Sequence, residues 1–151
     1  MIKLIPSTQE DIDQLTRWIQ NDPYHKDCLD PIWWLTGVPG SLLSFRLDDD
    51  TGSICYVRLD PKDLFGAIRL HTQFAPRGDV QKLRLVKAMI KCVPIVLDYS
   101  KQQQANLVVF QSTSKLLIDF MKRKFGFEPA GGSDYQVRVA IFADQVIQKN
   151  S

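Results

Sequence analysis

The chain has 151 residues and a mass of 17.3 kDa, a length at which one hydrophobic core forms without disulfide or metal staples. Apolar residues make up 44% and charged residues 24%, with a formal net charge of +2, which excludes a disordered chain and offers no clustered basic face for a nucleic-acid partner. Its three cysteines, Cys28, Cys55 and Cys92, are odd in number and widely spaced without a CxxC pair, so neither a disulfide framework nor a zinc site is expected.

In chain order, Ile2 to Ile5 reads as a short strand closed by Pro6. Ser7 and Glu10 then have the spacing of a capping box. The helix that follows carries Ile12, Leu15 and Ile19 at helical spacing, with Trp18 beside them, and Asn21-Asp22-Pro23 stops it. Tyr24 to Gly40 mixes prolines and glycines with the apolar cluster Ile32-Trp33-Trp34-Leu35 and reads as a loop carrying one short helix.

Three alternating segments, Leu42 to Asp48, Ile54 to Leu59 and Phe65 to Phe74, predict an antiparallel meander, its first turn at Asp49-Asp50-Thr51-Gly52. A long helix is predicted from about Gln81 to Lys101, with one stripe at Leu83, Val86, Ile90, Val93 and Leu97 and another at Leu85, Met89, Cys92, Val96 and Tyr99. Pro94 falls inside that pattern and is expected to kink it. The run Leu107-Val108-Val109-Phe110 suits a strand buried on both faces. Ser112, Thr113 or Ser114 can cap the next helix, whose core side is Leu116, Leu117, Phe120, Met121 and Phe125. Gly126 suits a left-handed helix end with Phe127 folding back, and a last strand pair is expected around Glu128 and from Gln136 to Phe142, joined at Gly131-Gly132-Ser133-Asp134.

The order is therefore β-α-α-β-β-β-α-β-α-β, a mixed α/β (α+β) chain with one domain over residues 1–147 and a frayed tail at 148–151. The apolar-rich stretch Leu83 to Tyr99 is broken by charges and Pro94, and the N-terminus lacks a signal-peptide pattern. A cytoplasmic protein without a membrane segment is expected.

This order, together with the segment Ser114 to Gly126-Phe127, resembles the GNAT (general N-acetyltransferase) superfamily, whose fourth helix closes on an Asn-x-x-Ala-x-x-x-Tyr-x-x-x-Gly-Phe pattern. The resemblance covers nearly the whole chain as topology and this segment as motif. It implies a central, mostly antiparallel twisted sheet flanked by helices and an acetyl-CoA (or other acyl-CoA) cofactor whose pyrophosphate sits on the turn before the long helix. The family's Arg/Gln-x-x-Gly-x-Gly/Ala pattern falls on Arg77-Gly78-Asp79-Val80-Gln81-Lys82, where Val80 and Lys82 fill the glycine positions. A Cβ there obstructs close approach of phosphate to backbone, which Arg77, Lys82 and Arg84 could offset with charge. The resemblance assigns Phe74, Arg77, Gly78, Val80, Gln81, Lys82, Ser112 and Lys115 to cofactor binding, and Trp33 and Trp34 to the wall of the acceptor pocket. Lys115, Ile118 and Lys122 stand at the motif's Asn, Ala and Tyr positions, so the general acid is unassigned.

On the third meander strand, Ala67, Arg69, His71 and Gln73 share one face by alternation, opposite Ile68, Leu70, Thr72 and Phe74. His71, whose ring titrates near neutrality, is the candidate general base on that polar face. Asp60, Asp63, Asp134 and Tyr135 are further polar residues at strand ends. The resemblance thus implies acetyl transfer to a small-molecule or peptidyl amine, with a homodimer left open. A non-catalytic GNAT-like binding module is the alternative that the filled glycine positions favour. The third reading, an acyl-homoserine-lactone synthase, rests on Gly66-Ala67-Ile68-Arg69-Leu70 and lacks that family's acidic motif.

Overall fold

In the computed structural model, which describes residues 1–22, 43–76, 82–112 and 114–139, Pro6 closes the first strand, β1 (Lys3–Pro6). The cap of the next helix lies one residue later than Ser7-Glu10: the Thr8 N–H donates to Asp11 Oδ2 at 2.9 Å. The shorter Asp11 side chain closes the box because a single 3-10 turn, Gln9–Asp11, precedes α1 (Ile12–Gln20). Leu15, Trp18 and Ile19 are buried, and the Asn21 side chain caps the far end by donating to the Arg17 carbonyl at 2.7 Å. The short helix expected between Tyr24 and Gly40 and the tail 148–151 lie outside the described residues.

The meander forms β2 (Leu43–Asp49), β3 (Gly52–Leu59) and β4 (Ala67–Phe74). Asp49 pairs with Gly52 across the first turn, and Asp49 Oδ1 accepts from the Thr51 N–H at 2.9 Å, an Asx-type closure. From Ile54 to Leu59 every residue of β3 is buried rather than every second one, as suits a strand with neighbours on both sides and both faces covered.

The long helix α2 (Lys82–Gln102) runs through Pro94, which removes the donor the Ile90 carbonyl would otherwise receive. Its buried face is narrower than the two stripes together: Ala88, Met89, Cys92, Val93, Val96 and Leu97 are buried, whereas Leu83 and Ile90 are exposed. Ser114 caps α3 (Lys115–Phe125), which follows β5 (Leu107–Gln111), and its Oγ accepts from the Leu117 N–H. Leu117, Phe120, Met121 and Phe125 form the core side of α3, while Leu116 turns outward. Gly126 is left-handed at φ 75°, its N–H donates to the Lys122 carbonyl, and the Phe127 N–H donates to the Met121 carbonyl, so Phe127 folds back and is buried. The last hairpin joins β6 (Glu128–Gly131) to β7 (Asp134–Arg138), whose start precedes the expected Gln136.

Among the described residues, seven strands lie in the order β1-β2-β3-β4-β5-β7-β6. The β1–β2, β2–β3, β5–β7 and β6–β7 pairs are antiparallel and β4–β5 is parallel. The described residues group into two compact units. In the first, within 1–60 and 71–92, α1 packs Leu15, Trp18 and Ile19 on Tyr56 of β3, with Trp18 and Tyr56 edge to face at 5.2 Å. In the second, within 61–70 and from Val93 onward, Phe110 of β5 meets Phe127 edge to face at 5.0 Å and stacks on Tyr135 at 5.6 Å.

The loop before β4 belongs to the second unit. The Asp63 carboxylate accepts from the N–H groups of Phe65 and Ala67 at 2.8 and 3.0 Å, the Asp63 N–H returns a bond to the Ala67 carbonyl, and Leu64 and Phe65 project outward. Gly66 has φ 80°, and a Cβ there would lie 2.5 Å from Asn106 Nδ2, so both conformation and space call for glycine. Among the described residues no helix is long and apolar enough to cross a membrane.

Candidate functional site

The parallel register of β4 on β5 runs from Ala67↔Leu107 to Leu70↔Phe110, and β4 then continues to Phe74. His71 is the first residue of that continuation and is 30% exposed. Its Nε2 lies 2.7 Å from Asp60 Oδ2, just past the end of β3. The other oxygen of the same carboxylate, Oδ1, accepts from Arg58 Nε at 3.0 Å, and Arg58 is only 2% exposed. Arg58 and Asp60 stand two residues apart, and His71 comes from the next strand in the sheet. The carboxylate therefore bridges a buried guanidinium and a half-exposed imidazole, a combination suited to orienting a base.

Asp60, noted in the sequence as a strand-end polar residue, is the hydrogen-bonding partner of His71, a pairing that sequence reasoning did not make. A signal was present in the alternation that puts Arg58 and Asp60 on one side, but pairing them with His71 needs the geometry of the neighbouring strand.

The polar face of β4 is not wet along its whole length. Gln73 is 1% exposed, and its Nε2 donates to Asp22 Oδ2 at 3.0 Å and to the Phe74 carbonyl at 3.1 Å. Those acceptors satisfy a buried amide, while Phe74 on the opposite face is partly exposed. Arg69 makes a two-pronged ion pair with Asp134 of β7 at 3.0 and 3.2 Å, which holds the Asp134 carboxyl below the usual carboxylate range despite partial burial.

At the start of α2, Lys82 is exposed and no carboxylate occupies the first turn. Arg84, offered by the sequence as phosphate charge, instead grips Asp49 through Nε and Nη2 at 2.6 and 2.7 Å. The grip holds the Asp49 carboxyl far below 3.8 and ties the β2–β3 turn to the helix. The helix start thus suits an anion in charge, with Lys82 as the described cation on offer. Arg77, Gly78, Val80 and Gln81, like Trp33 and Trp34, lie outside the described residues.

In the second unit, Ser112 follows β5; its Oγ accepts from the Ser114 N–H at 3.0 Å and its own N–H donates to the Ser133 carbonyl. Lys115 is the exposed first residue of α3, and Lys122, at the motif's Tyr position, is also exposed. Among the described residues no group of three histidine, cysteine or acidic side chains is placed to hold a metal ion.

No protein-family model matches the chain, and no curated protein matches it in sequence. Solved structures do match. A spermidine N-acetyltransferase from Vibrio cholerae, in complex with CoA and spermine, is similar at 13% identity with a TM-score of 0.68, over 94% of this chain and 98% of that one. A GNAT-family acetyltransferase from Staphylococcus aureus is similar at 14% identity and a TM-score of 0.65, over 92% of this chain and 99% of that one. The ribosomal-protein-S18-alanine N-acetyltransferase of Escherichia coli is similar at 12% identity and a TM-score of 0.65, over 92% and 94%. With its element order, its parallel β4–β5 pair and its Gly126-Phe127 helix end, this chain has the fold of the GNAT acetyltransferases.

Proposed function

We propose that the chain is a cytoplasmic, CoA-dependent N-acyltransferase that acetylates a small-molecule or peptidyl amine. The observation that carries the reading is the His71–Asp60 bond of 2.7 Å on β4, in a chain whose fold is shared by amine acetyltransferases. Acyl-CoA, when bound, supplies the thioester acyl group. In the proposal, Phe74, Arg77, Gly78, Val80, Gln81 and Lys82 hold the pyrophosphate side of the cofactor, and Ser112 and Lys115 receive its pantetheine or nucleotide end. His71 takes the proton of the acceptor ammonium, because the free amine is the nucleophile. Trp33 and Trp34 shape the acceptor pocket, where an aromatic face favours a cation.

The test is a thermal-shift and calorimetric titration with acetyl-CoA and desulfo-CoA. A ligand at a hundred times its dissociation constant adds about 2.7 kcal/mol of stability. Arg77→Ala is expected to weaken binding, and His71→Ala to lower turnover with little change in cofactor affinity. No shift at millimolar cofactor overturns the reading. It would favour a GNAT-like binding module without catalysis, which the residues Val80 and Lys82 at the glycine positions and the exposed Lys122 at the tyrosine position support.

A further inference from the structure

Leu64 and Phe65 stand 101% and 85% exposed in the loop before β4, and that loop is built to hold them there. The Asp63 carboxylate fastens the Phe65 N–H, and Gly66 takes the φ of 80° that leads into β4. Two adjacent large apolar side chains displayed on a fastened turn mark a contact surface. Beside them lies an open groove of about 400 Å³ lined by Ala105, Asn106, Leu107 and Arg138. The loop and the groove share a rim, because the N–H groups of Asn106 and Leu107 both donate to the Gly66 carbonyl, at 2.7 and 3.4 Å. Both belong to the second unit.

We propose that this face joins two copies of the chain, with Phe65 of each copy entering the groove of the other. The groove has room for the ring, since an apolar cavity of about 150 Å³ takes up benzene. It also suits the ring in polarity. Ala105 and Leu107 offer apolar walls, and Arg138 stands directly opposite Leu107 in the β5–β7 register, so the two side chains share one face of the sheet. Arg138 is exposed, and among the described residues no carboxylate pairs with its guanidinium. Such a cation is drawn to the face of an aromatic ring. Of the loop's two charges, Lys62 and Asp63, the carboxylate is the one bound beneath Phe65, so negative charge accompanies the ring toward Arg138. Because projection and groove lie side by side on one chain, a two-fold axis between them engages both at once, and the assembly closes at two copies.

The face is small. A phenylalanine buries about 150 to 250 Å², and a stable interface takes about 800 Å² from each partner, so the pair is a weak dimer with a dissociation constant on the order of 10 μM. The groove lies at the start of β5, whereas Ser112 and Lys115 follow its far end, so pairing engages the opposite end of the strand from them. Pairing on this face requires no catalysis and stands or falls apart from the acyltransferase reading.

The experiment is sedimentation equilibrium on the whole chain from about 1 to about 500 μM, a range across which the wild type is expected to pass from monomer to dimer. Phe65→Ser removes both contacts of the two-fold pair and is expected to weaken it at least about 100-fold. Leu116→Ser, at an exposed apolar site beyond the far end of β5, is expected to leave it unchanged. F65L and R138Q are each expected to weaken it about 10-fold, and the double variant about 10-fold rather than about 100-fold, because ring and guanidinium form one contact. A wild type that stays monomeric at the highest concentration overturns the proposal and leaves the face to a different partner. That measurement needs no variant, so it decides even where a substitution disturbs folding. A dimer that F65S does not weaken, or that L116S weakens as much, lies on another face and overturns it too. Additive losses in F65L and R138Q overturn the seating of Phe65 against Arg138.

Discussion

Asp11 shows how much one buried carboxylate organises. It is 4% exposed, receives the Thr8 N–H on Oδ2, and receives Arg46 Nη1 at 2.7 Å and the Tyr56 hydroxyl at 3.0 Å on Oδ1. Burial alone would raise its pKa, but those donors outweigh it and hold the carboxyl below 3.8. The neighbouring Tyr56 hydroxyl is pushed far up by burial, so it stays a donor. Asp11→Ala leaves Arg46 and Tyr56 without their shared acceptor, and a loss of about 3 kcal/mol is expected in urea unfolding. The thiols are a second test at this scale. Cys55 and Cys92 are fully buried, and burial pushes the Cys92 thiol up to about 12. Neither is expected to react with a disulfide reagent in the native state, whereas both react in denaturant, as thiol counting would show. His71 was legible in the sequence because a histidine on a polar strand face draws the eye. Its partner was not, since eleven residues separate Asp60 from His71 and only the neighbouring strand brings them together.

Helix ends were read more accurately than helix faces, and the reason lies in local chemistry. The Gly126-Phe127 stop is set by backbone conformation within a few residues, so sequence and structure agree on it. The faces of α2 and α3 depend on what packs against them, and Leu83, Ile90 and Leu116 carry apolar side chains at helical spacing yet remain exposed. The first cap moved from Ser7 to Thr8 because a 3-10 turn intervenes, and periodicity does not register such a turn. Two glycine substitutions separate conformation from space. Gly126→Ala puts a side chain at φ 75° into open room and is expected to cost about 1 kcal/mol. Gly66→Ala has a similar φ of 80° and also meets Asn106 Nδ2, so a larger loss of about 2 kcal/mol is expected. Chemical denaturation of the two variants checks the order, and the reverse order would refute the steric account.

Strand order across the molecule was legible only in part. Alternation and turn residues gave the meander, and the buried run at Leu107 gave β5, but the insertion of β7 between β5 and β6 follows from register that no single segment encodes. The candidate site is correspondingly split: His71, Phe74, Lys82, Ser112 and Lys115 have described surroundings, while the loop from Arg77 to Gln81 and the tryptophans stand on resemblance. At this scale the carboxylates make a joint prediction. Asp11, Asp49 and Asp134 all have folded pKa values depressed below 3.8. A depressed folded pKa adds stability that is complete above the unfolded value and is lost as pH falls through the folded one. The melting temperature is therefore expected to drop below about pH 4, and replacing Arg84, the partner of Asp49, by Ala should shallow that drop. An equally steep acid limb in Arg84→Ala would refute this account of the pair.

The loop that displays Leu64 and Phe65 has a consequence for digestion of the native protein. A protease that cuts after large apolar residues must draw several neighbouring residues into an extended form, and here both bonds to the Asp63 carboxylate would break first. Chymotrypsin is therefore expected to spare Phe65 despite its full display. Asp63→Ala, by unfastening the backbone beneath it, should open the chain to a nick at that point.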